Sequence, residues 1–370
     1  MLRVIYGLHA GGTETMLARS LEEVQARGRC GFEFEVCTFV SGGEIEPVLH
    51  AIGIRTFSLD TGGAWRLLRA PLALARLIRR RGYAIVHAHL FPAEVLVAAV
   101  SLFSRRPAYV LGKHNAWTRR NRPWHVALEH LTIGCYARIV CNSTDVERAV
   151  VARVPGVAGR TAVVPNGIRC PADVARALSP AYDVIAVGNL RDDQKGIDIL
   201  LRALAHVPGR VGRALVVGDG PARPGLERLA RELGLGDRVS FHGASRDVPG
   251  LLGSARLFVL SSRYEGMPNA LLEAMAQGLP VVATAVGGVA DVMIDGETGV
   301  VVPPEDPEAL ARAIVDLLSD TDRADRLGRA AHAHVQARFT VAAHVDGLLA
   351  VYDDVLRRPG TPAHPGDDRP

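Results

Sequence analysis

Short, largely apolar segments of strand length recur along the chain, at residues 2–8, 32–39, 54–59, 84–89, 109–113, 137–141 and 161–164. A second series follows at 182–187, 214–217, 239–242, 255–260, 281–283 and 299–302. The run 255–260 reads as a buried parallel strand, and the others as further strands of the two series. Helical spacing fills several intervals: 15–27, 44–51, 65–81, 197–205, 307–318, 322–337 and 341–356. Pro71 is expected to bend the helix over 65–81 or to begin a second segment there. Alternating strands and helices in two series, joined near 168–180, predict two doubly wound α/β domains.

Composition changes this picture in a few places. A length of 370 residues, with 48% apolar and 22% charged, suffices for two full cores. Charge is uneven: residues 1–170 carry 22 Arg and Lys against 12 Asp and Glu, and the remainder 21 against 27. A basic first half and an acidic second half suggest that the domains face different partners. Only Lys113 and Lys195 are lysines, so each is a candidate for a place where Arg cannot substitute. Cys30, Cys37, Cys135, Cys141 and Cys170 show neither a Cys-x-x-Cys pair nor zinc spacing. They read as reduced thiols of a cytoplasmic protein. The chain starts on a strand rather than a leader, and the apolar run 95–103 is too short to span a bilayer. The helix over 65–81 carries Arg66, Arg69, Arg76, Arg79, Arg80 and Arg81, and Trp117, Arg119, Arg120, Arg122 and Trp124 form a second basic, aromatic cluster. These are solvated faces or contacts with an anionic membrane surface. Nothing points to nucleic acid.

The most informative chemistry lies between Ser261 and Gly278, just after the apolar run 255–260. Pro268 suits the first turn of a helix, 270–276 are strong helix formers, and Gly278 with Pro280 stops them. The amides of Gly266, Met267 and Asn269 at a helix start make an anion site. Glu265 and Glu273 flank it, the latter roughly 7 Å along the axis from Pro268. They suit a ligand with a phosphate at the helix start and hydroxyls on both sides; the bland alternative is a helix cap and a solvated side chain. Lys195, just before another helix, is a phosphate-binding arrangement. His87 and His89 share one face of a strand, either as metal ligands, with no third ligand evident, or as hydrogen-bonded core histidines. Gly11 and Gly12 follow the first strand without a Gly-x-Gly-x-x-Gly fingerprint, which counts against a dehydrogenase. No Asp-x-Asp pair ends a strand, so no metal and no cofactor are expected.

The string Glu-Gly-Met-Pro-Asn-Ala-Leu-Leu-Glu-Ala-Met-Ala from Glu265, continued by Gly-Leu-Pro-Val-Val-Ala-Thr and Gly287-Gly288, closely resembles the retaining GT-B glycosyltransferases of family 4. The resemblance covers roughly residues 1–357 and is strongest over 182–303. It implies two Rossmann-like domains facing a central cleft: an acceptor-side domain over 1–170 joined by the last helix, about 340–357, and a donor domain over 171–339. Residues 358–370 read as a disordered tail. In the family the first Glu contacts the transferred sugar, so Glu265 is placed as catalytic with Lys195 and His89. Glu273 would hold the ribose, and Gly266, Met267, Pro268 and Asn269 the diphosphate. Gly11, Gly12, Gly218 and Arg246 match further donor-binding positions, and His87, His114 and Asn115 the acceptor side. Where members commonly carry an Arg six residues before the Lys, this chain has Asn189; Arg191 is the candidate substitute. Asp291 stands where Glu is usual. The implied function is transfer of a sugar from a nucleotide-diphosphate sugar, UDP- or GDP-linked, to a hydroxyl of a glycan or lipid-linked acceptor in cell-surface polysaccharide or glycolipid synthesis. An epimerase or hydrolase of the same fold and a non-catalytic nucleotide-sugar binder are the alternatives. The protein would work in the cytoplasm or at the inner face of the membrane.

Overall fold

The computed structural model describes the chain apart from residues 10, 29–30, 61–63, 105, 116–122, 173–179 and 358–370, with backbone alone at 64–68 and 123. The cluster Trp117 to Arg122, the tail 358–370 and Cys30 therefore lie outside the described residues. Packing divides the chain into two units, Met1–Gly167 with Val341–Pro370, and Ile168–Thr340.

Unit 1 runs β1 (Leu2–Ile5), α1 (Gly12–Arg27), β2 (Glu35–Thr38), α2 (Glu46–Ala51), β3 (Arg55–Ser58), α3 (Ala64–Arg81), β4 (Ile85–His89), α4 (Leu90–Ser101), β5 (Ala108–Lys113), α5 (Pro123–Thr132), β6 (Arg138–Cys141), α6 (Thr144–Arg153) and β7 (Thr161–Val163). Its seven strands form one parallel sheet in the order β3-β2-β1-β4-β5-β6-β7. Unit 2 runs β8 (Tyr182–Val187), α7 (Ile197–His206), β9 (Ala214–Val217), α8 (Arg223–Glu232), β10 (Val239–Gly243), α9 (Val248–Gly253), β11 (Ala255–Leu260), α10 (Asn269–Ala276), β12 (Val281–Thr284), α11 (Val289–Val292), β13 (Val300–Val302), α12 (Pro307–Ser319) and α13 (Thr321–Arg338). Its six strands are again parallel, in the order β10-β9-β8-β11-β12-β13. The final helix, α14 (Val341–Arg357), packs on α1 within unit 1.

The inner strands β1, β9 and β12 are buried on both faces, whereas the edge strands β3 and β10 are partly exposed. In β1, Leu2 and Val4 enter one core cluster and Ile5 the other, which holds Leu17, Leu21, Val345, Leu348 and Tyr352 of α1 and α14. The apolar runs are legible because every strand residue of β1 and β9 is buried. Three expectations need adjustment. The first strand stops at Ile5, because the Leu8 carbonyl turns to accept from the amide of Ile45. Pro71 lies inside one helix, α3, rather than dividing it. Pro268 caps α10 in extended conformation instead of occupying its first turn. Helix α4 was not foreseen: it is apolar on nearly all sides, so no periodicity marks it.

Lys113, at the end of β5, locks α4 and α5 together. Its ammonium donates to Glu94 Oε2 at 2.7 Å and Glu129 Oε1 at 2.6 Å, and Arg153 donates to Glu129 Oε2 at 2.6 Å. Burial pushes the Glu94 carboxyl above its ordinary range. Burial pushes Glu129 the same way, but Lys113 and Arg153 outweigh it and hold that carboxyl low. Removing the cation strands buried carboxylates, so Lys113→Ala should lose about 3–5 kcal/mol of unfolding free energy. Denaturant unfolding of wild type and variant measures this; an unchanged midpoint would refute the role.

Candidate active site

In a doubly wound sheet the crevice forms beyond the carboxyl ends of the two strands where the order reverses. In unit 2 these strands are β8 and β11. The loop after β8 carries Lys195, and the loop after β11 carries Glu265. The two side chains meet there: Lys195 Nζ donates to Glu265 Oε1 at 2.7 Å, with the carboxylate side chain 5% exposed and the ammonium side chain 19%. Ser262 Oγ donates to the same carboxylate oxygen at 2.7 Å.

The backbone is stitched around this pair. The amide of Arg263 donates to the Gln194 carbonyl at 2.8 Å, Gln194 Nε2 to the Tyr264 carbonyl at 3.1 Å, and Ser261 Oγ to the Lys195 carbonyl at 3.0 Å. Gly196, which begins α7 at φ +57°, has the Ser261 carbonyl oxygen only 2.0 Å from where a Cβ would stand. At Gly188 a Cβ would come within 2.8 Å of the Lys195 stem. Gly287, at φ +50°, presses on the Glu265 carbonyl, 1.9 Å from its would-be Cβ, and the Gly288 amide donates to the Gly266 carbonyl at 3.0 Å. The glycine pair after β12 thus supports the Glu265 peptide from a third loop.

Sequence reasoning missed the buttress under these loops. Arg263 grips Asp198 with both terminal nitrogens, at 2.7 and 2.9 Å, and Glu305 through Nε at 2.6 Å. Burial pushes the Asp198 carboxyl up, yet Arg263 and Arg202 outweigh it and hold it low. An Arg two residues before Glu265 and an Asp three after Lys195 were the available signal.

The other predicted donor residues distribute around the same edge. Gly266, Met267 and Pro268 are buried, Asn269 and Glu273 half-buried at the start and middle of α10. Gly218, at φ +141°, lies with its would-be Cβ 1.8 Å from the Gly188 carbonyl oxygen, so it serves close backbone packing. Arg191 and Arg246 are exposed, the latter next to Asp247, which caps α9 through the Gly250 amide.

In unit 1 the reversal lies between β1 and β4. Gly11 caps α1 in extended conformation and Gly12 is its first residue; a Cβ on Gly11 would strike Glu14 at 2.4 Å. A histidine cluster is built from His87 and His89 of β4, His114 just after β5 and His344 of α14. Arg3 Nη1 lies 3.2 Å from His89 Nε2, and His89 Nδ1 lies 3.3 Å from His114 Nε2. A guanidinium only donates, so His89 carries its proton on Nδ1 and passes it toward His114 Nε2, which fixes the His114 proton on Nδ1. Both ring nitrogens of His89 are thereby engaged. His87 Nδ1 meets the Tyr352 hydroxyl at 2.8 Å, and its ring stacks on His89 at 4.1 Å between centroids. His344 Nδ1 donates to the Pro165 carbonyl at 2.6 Å. Gly112 makes room for the cluster: a Cβ there would meet His89 Nδ1 at 2.9 Å and His114 Nε2 and His87 Nε2 at 3.1 Å. Asn115 is exposed. Leu90, directly after His89, holds φ +69°, a strained conformation for a bulky side chain. Among the described residues, no group of three or more His, Cys, Asp or Glu is arranged to hold a metal ion.

Two parallel sheets of Rossmann order, each with a polar cluster near its reversal point, define an α/β protein of two doubly wound units. Among solved structures, HepE of Anabaena in complex with UDP superposes with a TM-score of 0.81 at 22% identity, over 95% of this chain and 99% of that one. The fold is GT-B. The family model described as Glycosyltransferase Family 4 matches residues 10–170, and that described as Glycosyl transferases group 1 matches 181–320. The D-inositol 3-phosphate glycosyltransferase of Nocardia farcinica is 30% identical over 94% of this chain and 85% of its own length. A lipopolysaccharide core biosynthesis glycosyltransferase, LpsE of Rhizobium meliloti, is 32% identical over 57% of this chain; the match spans 62% of that relative, less than two thirds of its length. The chain belongs to the group 1 glycosyltransferases.

Burial holds the histidine cluster neutral: His114 and His344 are each pushed down to about 4, and His87 and His89 well below their ordinary value. An unfolded chain takes up protons as pH falls through about 6.5, while the folded His114 and His344 rings resist until about 4. The unfolded state then binds more protons, so stability present above pH 6.5 is lost progressively toward pH 4. Thermal melts should show Tm falling already between pH 6.5 and 5, before most carboxylates titrate, and falling less steeply in His344→Gln. A Tm constant over that interval would contradict the neutral cluster.

Proposed function

We propose that the protein is a retaining, metal-independent glycosyltransferase that moves a sugar from a UDP- or GDP-sugar to a hydroxyl of a glycan or lipid-linked acceptor in cell-surface polysaccharide or glycolipid synthesis. The observation that carries this reading is the Lys195–Glu265 contact at the β8/β11 reversal, at 2.7 Å. An ammonium has three donors. One holds Glu265, and the others serve the diphosphate oxygens, where charge grows as the glycosidic bond breaks. Glu265 orients the sugar, Glu273 the ribose, and the start of α10 supplies amides from Gly266 to Asn269. Arg191 takes the place of the Arg replaced by Asn189. On the acceptor side His114 and Asn115 meet the incoming hydroxyl, and His89, with both nitrogens engaged, acts by holding His114.

Family membership and the UDP found in HepE support a nucleotide-sugar donor. LpsE supports a role in surface polysaccharide. No helix among the described residues is long and apolar enough to cross a membrane. The basic face of α3, with Arg69, Arg76, Arg79 and Arg80 exposed, supports work at an anionic inner membrane surface.

A thermal-shift panel of UDP, GDP and ADP should show one nucleotide stabilising the protein by about 2.7 kcal/mol at a hundredfold its dissociation constant. With the matching sugar donor, Lys195→Ala and Glu265→Gln should each lower transfer by about 10²–10³-fold while the melting curve stays cooperative. Lys195→Ala at wild-type turnover would remove the diphosphate role. Rapid release of nucleotide diphosphate without acceptor would favour a hydrolase or epimerase instead.

A further inference from the structure

Helix α4 is apolar on its outer side as well as its inner one. It packs on α3 and on α5. Its inward residues Ala93, Leu96, Val97 and Val100 are buried in the unit 1 core. Its outward residues Phe91, Pro92, Val95 and Ala99, continued by Leu102 and Phe103 just past the helix end, recur at helical spacing and are half-buried or exposed. Leu102 and Phe103 are 72% and 82% exposed. On α5 the outward positions Trp124, Ala127 and Leu131 repeat the pattern, and Leu131 is 80% exposed. Of the eight large apolar side chains exposed among the described residues, five lie on α3, α4 and α5 or at their ends, Leu72 being the fifth. Such a concentration on one helical layer marks a surface that meets a partner.

The charge around this face has one sign. Residues 61–144 hold 12 Arg and one Lys but only two acids, Glu94 and Glu129. Both acids are buried, and Lys113 holds them. The stretch therefore presents no exposed carboxylate, whereas Arg69, Arg76, Arg79 and Arg80 of α3 and Arg106, just beyond Phe103, are exposed. Apolar and aromatic side chains beside a purely cationic rim match a surface that is anionic at its headgroups and apolar beneath them.

We propose that the outer face of α4 and α5 seats in the surface of an anionic lipid bilayer, with Leu102, Phe103 and Leu131 inserted and the arginines of α3 on the lipid phosphates. This rests on the membrane reading above and names the elements that carry it, but it needs neither Lys195 nor Glu265. Seated this way, α4 lies along the membrane for roughly 18 Å. One end of that contact is Phe103, and the other is Phe91, which follows His89 by two residues. The carboxyl edge of β4 then opens at the lipid surface, so an acceptor carried on a lipid reaches the histidine cluster without leaving the bilayer.

Cosedimentation of the full chain with vesicles tests this without donor or acceptor, so its failure is separable from failure of the sugar-transfer reading. Phosphatidylcholine vesicles with roughly 30% phosphatidylglycerol should bind the protein, and phosphatidylcholine alone should bind it far less. Leu102→Ser combined with Phe103→Ser should lower the partition coefficient by about tenfold. Arg79→Gln combined with Arg80→Gln should lower it by roughly 30-fold. All four side chains are exposed, so both double variants should melt like wild type. Wild type that stays in solution beside the anionic vesicles overturns the proposal. So does a Leu102→Ser/Phe103→Ser variant that binds them as wild type does, since charge alone would then account for the binding. Self-association that these two serines abolish, with no vesicle binding, would assign the face to a second copy of the chain and overturn the proposal too.

Discussion

The Lys195–Glu265 contact is the constraint around which unit 2 is built. A carboxylate this buried needs hydrogen-bond donors to replace its lost hydration. Here it receives one ammonium and one hydroxyl, each at 2.7 Å. The contact joins two loops rather than two regular elements, so nothing in the sheet ladder sets its length. It is set instead by close backbone approach at Gly188, Gly196 and Gly287, each of which would collide with a neighbour if given a side chain. Arg263, bridging Asp198 and Glu305, then ties the same loops to α7 and to the turn before α12. Such rigidity is what a site needs when it stabilises charge that appears only in the transition state.

The two units share a strand order up to the added β7, yet their reversal points differ in chemistry. Unit 2 places opposite charges there. Unit 1 places neutral imidazoles above a buried guanidinium, and the tautomers of His89 and His114 follow from that single cation. An imidazole chain with fixed tautomers presents a defined face without carrying net charge, which suits recognition of hydroxyls rather than phosphates. The positive φ of Leu90 lies at the same edge, directly after His89. Strain of this kind persists only where surrounding packing over-determines it, and it collects at working sites.

Much of this was legible in the residues. Strands buried on both faces, such as β9 and β12, announce themselves as unalternated apolar runs, and glycines such as Gly218 mark turns that follow. The Glu265 loop was readable because its proline, glycines and helix formers occur in a forced order. The contacts within the histidine cluster were not. His87 and His89 could be placed on one face of β4, but the roles of Arg3, His114 and His344 depend on which strands and helices become neighbours. Those lie 25 or more residues from His89 in sequence, beyond the reach of local pattern. Helix α4 escaped for the opposite reason: it is so uniformly apolar that it carries no period to detect. Arg263 and Asp198 escaped because charged residues near a loop look solvated until the fold brings them together.

Of 43 basic residues in this chain, two are lysines, and both end in short contacts with carboxylates. A planar guanidinium is larger and donates in a fixed fork, whereas an ammonium is a compact point charge whose donors rotate. Lys113 fits between Glu94 and Glu129 at 2.7 and 2.6 Å, with both carboxylates buried, so its charge is consumed by the fold. Lys195 meets one carboxylate among the described residues, and its stem lies against Gly188, where any side chain would push it aside. The same residue type is thus used in two ways, distinguished by how many carboxylates it must satisfy. A lysine sandwiched between two acids has little charge left to offer a ligand. One that balances a single acid at the edge of a parallel sheet keeps donors available for an anion.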